Sequence, residues 1–295
     1  MIFRAYFLLL TTFILLASAH SGFAQVQHKN IVYAEVHGVG LVMDIFTPTE
    51  NRNGLAIIDV ISGAWNSSRG KIRAHQRAQV FRIMCSHGYT VFAIRPGSSS
   101  RFSIPDMAQH LEKGITWVKE QADEYGIDPR RLGMMGASAG GHLASLVAVT
   151  NGGSHVNPSI DKATVRAVAV FFPPTDFLKF GRDSGLESAD RVRQIALRGV
   201  SGKLSEEETE QALISISPAR LVTKDAPPFL LIHGTADDVV PQTQSELLQA
   251  ALKDKGVSAE LVLKEGGGHP WPTIHEEVGL IAGWFDGQLG SELSP

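Results

Sequence analysis

Leu132-Gly133-Met134-Met135-Gly136-Ala137-Ser138-Ala139-Gly140-Gly141-His142-Leu143-Ala144-Ser145-Leu146-Val147-Ala148 decides how this chain folds. The apolar run Leu132 to Met135 reads as a short strand, Gly136-Ala137-Ser138-Ala139-Gly140 as a tight turn, and Gly141 to Ala148 as a helix. Strand, turn and helix in that order lift the Ser138 hydroxyl out of the backbone at a sharp elbow. The glycines have a physical reason, because a strand that reverses straight into a helix needs unusual dihedrals and leaves no room for side chains beside the turn. A lone serine hydroxyl is a poor nucleophile near neutral pH, so the reading requires a histidine base and a carboxylate from elsewhere in the chain.

Working outward, strand and helix patterns alternate. Ile31 to His37 and Leu41 to Phe46 are β-rich runs separated by Gly38-Val39-Gly40, which predicts a hairpin. Leu55 to Ile61 is apolar enough to be buried on both faces, as in a parallel sheet. Arg73 to His87 and Asp106 to Tyr125 alternate at helical spacing, with strand Tyr89 to Ile94 between them. Strands follow at Val165 to Phe172, Phe229 to His233 and Ala259 to Leu263, with helices at about 241–255 and 274–286. The expected architecture is α/β, a mostly parallel sheet flanked by helices on both faces. Residues 177–217 break the rhythm and read as a small cap or lid insertion, with Ser205 capping a turn rich in Glu206, Glu207 and Glu208.

The partners that Ser138 needs lie where such a sheet holds its sites. Gly234-Thr235-Ala236-Asp237-Asp238 follows one strand and carries two carboxylates at its carboxyl end. Gly266-Gly267-Gly268-His269-Pro270-Trp271 follows the last strand and offers a histidine. Each residue also has a plain reading, Asp237 as a helix cap and His269 as a surface loop histidine. The chain order Ser138, Asp237, His269 and the elbow together favour a nucleophile, an acid and a base.

Composition narrows the class. The chain has 295 residues, 43% hydrophobic and 19% charged, enough for one large core or at most two domains. A formal net charge of −3 offers no basic face for nucleic acid. Residues 1–24 read as a secretory signal, with Arg4, an apolar stretch from Ala5 to Ala17, and the small-residue context Gly22-Phe23-Ala24. That apolar stretch is shorter than the ~20 residues of a membrane span. The expectation is a signal peptide over 1–24, a domain over 25–295 beginning near Gln25, no stable span after signal removal, and a secreted or periplasmic location. Cys85 is the single cysteine, so no internal disulfide forms, and it reads as a small core residue. No His-Glu-x-x-His motif, paired-cysteine spacing or Gly-rich dinucleotide loop appears, so no metal or cofactor is expected.

Three stretches carry a family resemblance: Asp128 to Ala144 around the elbow, Pro227 to Asp237, and Gly267-Gly268-His269. They resemble the α/β-hydrolase superfamily, and within it the bacterial exported group related to carboxylesterases, acetylxylan esterases and feruloyl esterases. The resemblance runs from about Leu41 to the C terminus. It implies that Ser138 attacks an acyl carbon, His269 moves the proton and Asp237 orients the imidazole. The substrate it implies is a small-molecule or carbohydrate-linked ester.

One run departs from that pattern. The group carries His-Gly-Gly-Gly-Trp after the third strand, where backbone amides form part of the oxyanion hole, and this chain has Ile61-Ser62-Gly63-Ala64-Trp65. Backbone donors do not depend on side-chain identity, so Gly63 and Ala64, with Ala139 after the nucleophile, are the expected donors. Asp176 at another strand end is an alternative acid, and His142 and His233 are expected to be buried and structural. Two other readings share these motifs. One is a serine peptidase of the prolyl-oligopeptidase type, disfavoured by the lack of a propeller domain. The other is a non-catalytic binding protein on the same fold, prompted by the altered oxyanion run.

Overall fold

In the computed structural model, which describes residues 25–152, 163–183, 194–195 and 204–290, eight strands form one sheet. They are β1 (Gln25–Val36), β2 (Val39–Pro48), β3 (Ala56–Val60), β4 (Thr90–Arg95), β5 (Leu132–Ala137), β6 (Ala167–Phe171), β7 (Phe229–Gly234) and β8 (Ala259–Lys264), in the spatial order β1-β2-β4-β3-β5-β6-β7-β8. β1 and β2 pair antiparallel, as do β2 and β4, and every other neighbouring pair is parallel. The expected signal segment 1–24 and much of the expected insertion over 177–217 lie outside the described residues.

Strands β3, β6 and β7 are buried along their whole length, which is why they read as continuous apolar runs. Their alternate residues feed two cores. Ala56, Ile58, Val60, Phe229 and Leu231 join one, and Ile57, Leu230 and Ile232 join the other. The first is covered by helices α3 (Ile104–Glu120) and α5 (Ala139–Asn151), and the second by α1 (Arg69–Arg77) and α2 (Val80–Ser86) together with the last helix, Ile274–Gly290. Each fully buried Phe, Leu or Ile contributes about 1.5–3 kcal/mol.

The single helix expected over Arg73 to His87 is two helices. Ile72 and Phe81 are both buried, but nine residues apart they are half a turn out of phase at 3.6 residues per turn. A break lets both face the sheet, and Gln79 supplies it at φ 60°. Ser68 begins α1 by accepting a hydrogen bond from the Lys71 amide. The helix expected over Asp106 to Tyr125 starts earlier, at a capping box of Ser103 and Asp106, and breaks after Glu120 into the short α4 (Ala122–Tyr125).

The described ends of the 177–217 segment pack onto the first core. They are α6 (Phe177–Asp183) and α7 (Glu206–Ser215), the latter capped by Ser205 and Glu208 as the acidic turn predicts. Phe177, Phe180, Leu213 and Ile216 are all buried. His142 ties this segment to the elbow helix and to the loop after β3. Its Nε2–H donates to the Ile216 carbonyl at 2.7 Å, so its Nδ1 is the acceptor for the Trp65 indole N–H at 3.0 Å. Burial pushes the His142 pKa down from 6.5 to about 4, and the Ile216 bond offsets only part of that. Cys85 is buried as expected, and burial pushes its thiol up to about 12.

Two outcomes follow from this packing. A Cβ on Gly140 would collide with the Val60 carbonyl oxygen, whereas one on the exposed Gly283 meets nothing within 4 Å. In urea unfolding, Gly140→Ala is expected to lose about 1–3 kcal/mol or more, and Gly283→Ala to gain about 0.5–1 kcal/mol from helix entropy. The second outcome concerns acid. As pH falls through 6.5 the unfolded chain protonates His142, while the folded ring stays neutral until about pH 4. The unfolded state then binds more protons, so stability falls with pH across that window and the loss levels off below it. Between pH 7 and 4.5 the wild type is expected to lose roughly 2–3 kcal/mol more than His142→Gln. Equal acid losses in the two proteins would show that another group is responsible.

Candidate active site

The elbow after β5 holds Ser138 at φ 54° and ψ −123°, a region that costs a residue other than glycine about 1–3 kcal/mol. Its amide donates to the Phe171 carbonyl of the neighbouring strand at 3.0 Å, and its carbonyl accepts from the His142 amide at 2.8 Å. The hydroxyl is left to face outward. Ser138 Oγ lies 2.9 Å from His269 Nε2, and His269 Nδ1 lies 2.7 Å from Asp237 Oδ2. Nδ1–H donates to the carboxylate, so Nε2 is the acceptor for the serine hydroxyl. The three residues come from the loops after β5, β7 and β8, at the carboxyl ends of those strands.

Asp237 is fixed more firmly than one bond requires. Its Oδ1 accepts from the Val239 and Val240 amides, both at 2.9 Å, and its side chain is fully buried. Burial alone would raise its pKa, but the His233 ring 3.5 Å away and hydrogen bonds from His269 and the Val240 amide outweigh that and hold it well below the usual carboxylate range. Asp238, the neighbouring carboxylate, is exposed. The alternative acid Asp176 is engaged elsewhere, accepting from Arg220 Nε at 2.9 Å and from the Leu178 amide at 3.1 Å. His233 is fully buried, bonding the Ser245 hydroxyl at 2.7 Å and the Val240 carbonyl at 2.8 Å.

The loop after β3 is a two-residue hairpin turn. Gly63 N–H donates to the Asn66 carbonyl at 3.0 Å and Asn66 N–H to the Gly63 carbonyl at 3.1 Å. Ala64 and Trp65 between them both have positive φ, 49° and 53°, as a turn matched to the strand twist demands. This corrects one expectation, because the Gly63 amide is spent inside the turn and is not free for an oxyanion. The Ala64 amide has no acceptor among the described residues, nor does that of Ala139 in the first turn of α5. Nothing in the sequence singles out this turn, since its central residues are neither Asn nor Gly.

A cavity of about 460 Å³ opens over these groups, with Ser138, His269, Ala64, Phe172, Phe180 and Val278 among its lining residues. The Phe172 ring lies 4.2 Å from the His269 ring and shields it on one side. After His269 the chain is anchored by Trp271, whose indole N–H donates to Glu277 at 2.8 Å. Among the described residues no cluster of His, Cys, Asp and Glu is placed to hold a metal ion, and no helix is long and apolar enough to cross a membrane.

Comparison with known proteins identifies the family and the fold. The BD-FAE family profile matches residues 43–252, more than half of the chain. The chain is 29% identical to the probable carboxylic ester hydrolase LipM of Mycobacterium tuberculosis over 70% of its own length and 47% of LipM's. It is 29% identical to the isoprenylcysteine alpha-carbonyl methylesterase ICME of Arabidopsis thaliana over 84% of its length and 57% of that protein. It thus spans about half the length of the curated relatives it matches. Among solved structures, a truncated carbohydrate esterase from gut microbiota superposes with a TM-score of 0.77 at 27% identity, covering 92% of this chain and 99% of that one. The chain belongs to the BD-FAE family, and its fold is that of the α/β-hydrolases.

Proposed function

We propose that this protein is a serine hydrolase that cleaves carboxylic esters through an acyl-enzyme on Ser138. The observation that carries the reading is the continuous hydrogen-bonded series Ser138–His269–Asp237 beneath an open cavity. Esterases among both the sequence relatives and the structural neighbours support it.

His269 Nε2 takes the proton of the Ser138 hydroxyl as Oγ attacks the acyl carbon. The charge that develops on the former carbonyl oxygen is held by the unspent amides of Ala64 and Ala139, each of the kind worth about 10² to 10³ in turnover. Asp237 keeps the imidazole in the correct tautomer and stabilises its protonated form. The imidazolium then gives its proton to the departing alkoxide and releases the alcohol. Water, deprotonated by the same nitrogen, attacks the acyl-enzyme, and the carboxylic acid leaves as Ser138 is restored. Small-molecule or carbohydrate-linked esters are the substrates this reading favours, the latter on the strength of the carbohydrate esterase likeness. Secreted or periplasmic delivery rests on the signal read over 1–24.

Ser138→Ala is expected to abolish labelling by a fluorophosphonate probe and to lower ester turnover by a factor on the order of 10⁶. Labelling of that variant at the wild-type rate would overturn the assignment. Asp237→Asn is expected to lower kcat by about 10⁴, with little effect from Asp238→Asn. A larger loss in the second variant would shift the acid by one residue.

A further inference from the structure

Within this ester-hydrolase reading, on which the inference rests, we propose that the preferred substrate carries a second, anionic group, a carboxylate, seated against Lys71, His75 and Ser62 on the α1 side of the cavity.

Among the described residues that line the cavity none is an aspartate or glutamate, yet three of them carry hydrogen-bond donors that no described residue accepts from. Lys71 Nζ has neither a hydrogen bond nor an ion pair among the described residues. Its side chain lies along Gly63, where a Cβ would come within 2.6 Å of Lys71 Cε and 3.1 Å of Cδ. The partly buried Lys71 side chain thus places its ammonium beside the turn after β3. His75, one helical turn after Lys71 and on the same face, bonds through Nδ1 to the fully buried Asp59 at 2.7 Å, which leaves its Nε2 with no acceptor among the described residues. Burial lowers the His75 pKa, but the Asp59 charge and hydrogen bond outweigh it and raise it above the ordinary value. Ser62 is 4% exposed, and its Oγ has no hydrogen-bond partner among the described residues.

Unpaired polar groups in a partly buried wall cost free energy, and the cost falls when a ligand supplies the missing acceptors. One carboxylate has two oxygens and about four lone-pair sites, enough for an ammonium, an imidazole N–H and a hydroxyl together. A Lys71–carboxylate pair is charge-assisted and partly shielded, and bonds of that kind are about twice as strong as neutral ones. Asp59 already neutralises His75, so Lys71 supplies the net charge that distinguishes an anionic ester from a neutral one of the same shape.

The test compares wild type with Lys71→Met and Lys71→Arg on two matched pairs of esters. Mono-4-nitrophenyl adipate against 4-nitrophenyl hexanoate places the carboxylate in the acyl part. 4-Carboxyphenyl acetate against phenyl acetate places it in the alcohol part. The readout is the ratio of kcat/KM for the anionic ester to that for its neutral partner. In one pair this ratio is expected to fall about 10- to 100-fold in Lys71→Met and to be largely kept in Lys71→Arg, and the pair that responds identifies which part of the ester carries the anion. Ratios equal in wild type and Lys71→Met for both pairs, whether or not activity falls overall, would overturn the proposal while leaving ester hydrolysis standing. A wild type that hydrolyses none of the four esters would bring down the ester-hydrolase reading and this inference with it.

Discussion

Backbone lying directly on backbone at the elbow is the contact on which the site depends. A Cβ on Gly136 would sit 2.6 Å from the Gly140 carbonyl, and one on Gly140 would run into the Val60 carbonyl oxygen. With no side chain between them, α5 starts flush against the ends of β3 and β5, and the chain has a single residue in which to reverse. Ser138 absorbs that reversal. The strain persists because the flanking hydrogen bonds to Phe171 and from His142 over-determine it. β3 is the direct neighbour of β5, so the turn that follows β3 comes to lie beside the elbow.

The same device positions Asp237 and His269. Gly234 ends β7 against Gly267 of the histidine loop, so closely that a Cβ there would collide with the Gly267 carbonyl. Four further hydrogen bonds join or brace these loops: Thr235 N–H to the Lys264 carbonyl, Ala236 N–H to that of Gly267, Gly266 N–H to Thr235 Oγ1, and Gly267 N–H to the Lys264 carbonyl. Two loops far apart in sequence thereby act as one piece. The distance between Asp237 and His269 is set by main chain rather than by the flexible ends of side chains.

Much of this was legible because it is local. The βα alternation follows from apolar periodicity, and the order of Ser138, Asp237 and His269 follows from which strand ends carry which residues. What escaped depends on contacts that periodicity does not encode. The break at Gln79 exists because Ile72 and Phe81 must reach the same face of the sheet, which a run of helix-compatible residues does not announce. The loss of Gly63 as an oxyanion donor depends on a turn whose two central residues, Ala64 and Trp65, adopt positive φ without being the residue types that favour it. Trp65 is held there by His142 from another helix, a partner 77 positions away.

Three histidines around the site show how burial divides their duties. His142 and His233 have both ring nitrogens committed, one to Trp65 and Ile216, the other to Ser245 and Val240, and both are fully buried. His269 bonds Asp237 through Nδ1 and meets the serine hydroxyl through Nε2, and 12% of its side chain is exposed. Of the three, it alone has a ring nitrogen that faces the Ser138 hydroxyl instead of a structural partner. A proton on His142 Nδ1 would instead set N–H against the Trp65 indole N–H, two donors with no acceptor between them. The turn that holds the Ala64 amide would lose its tether to α5, so acid reaches the site through the scaffold that supports it.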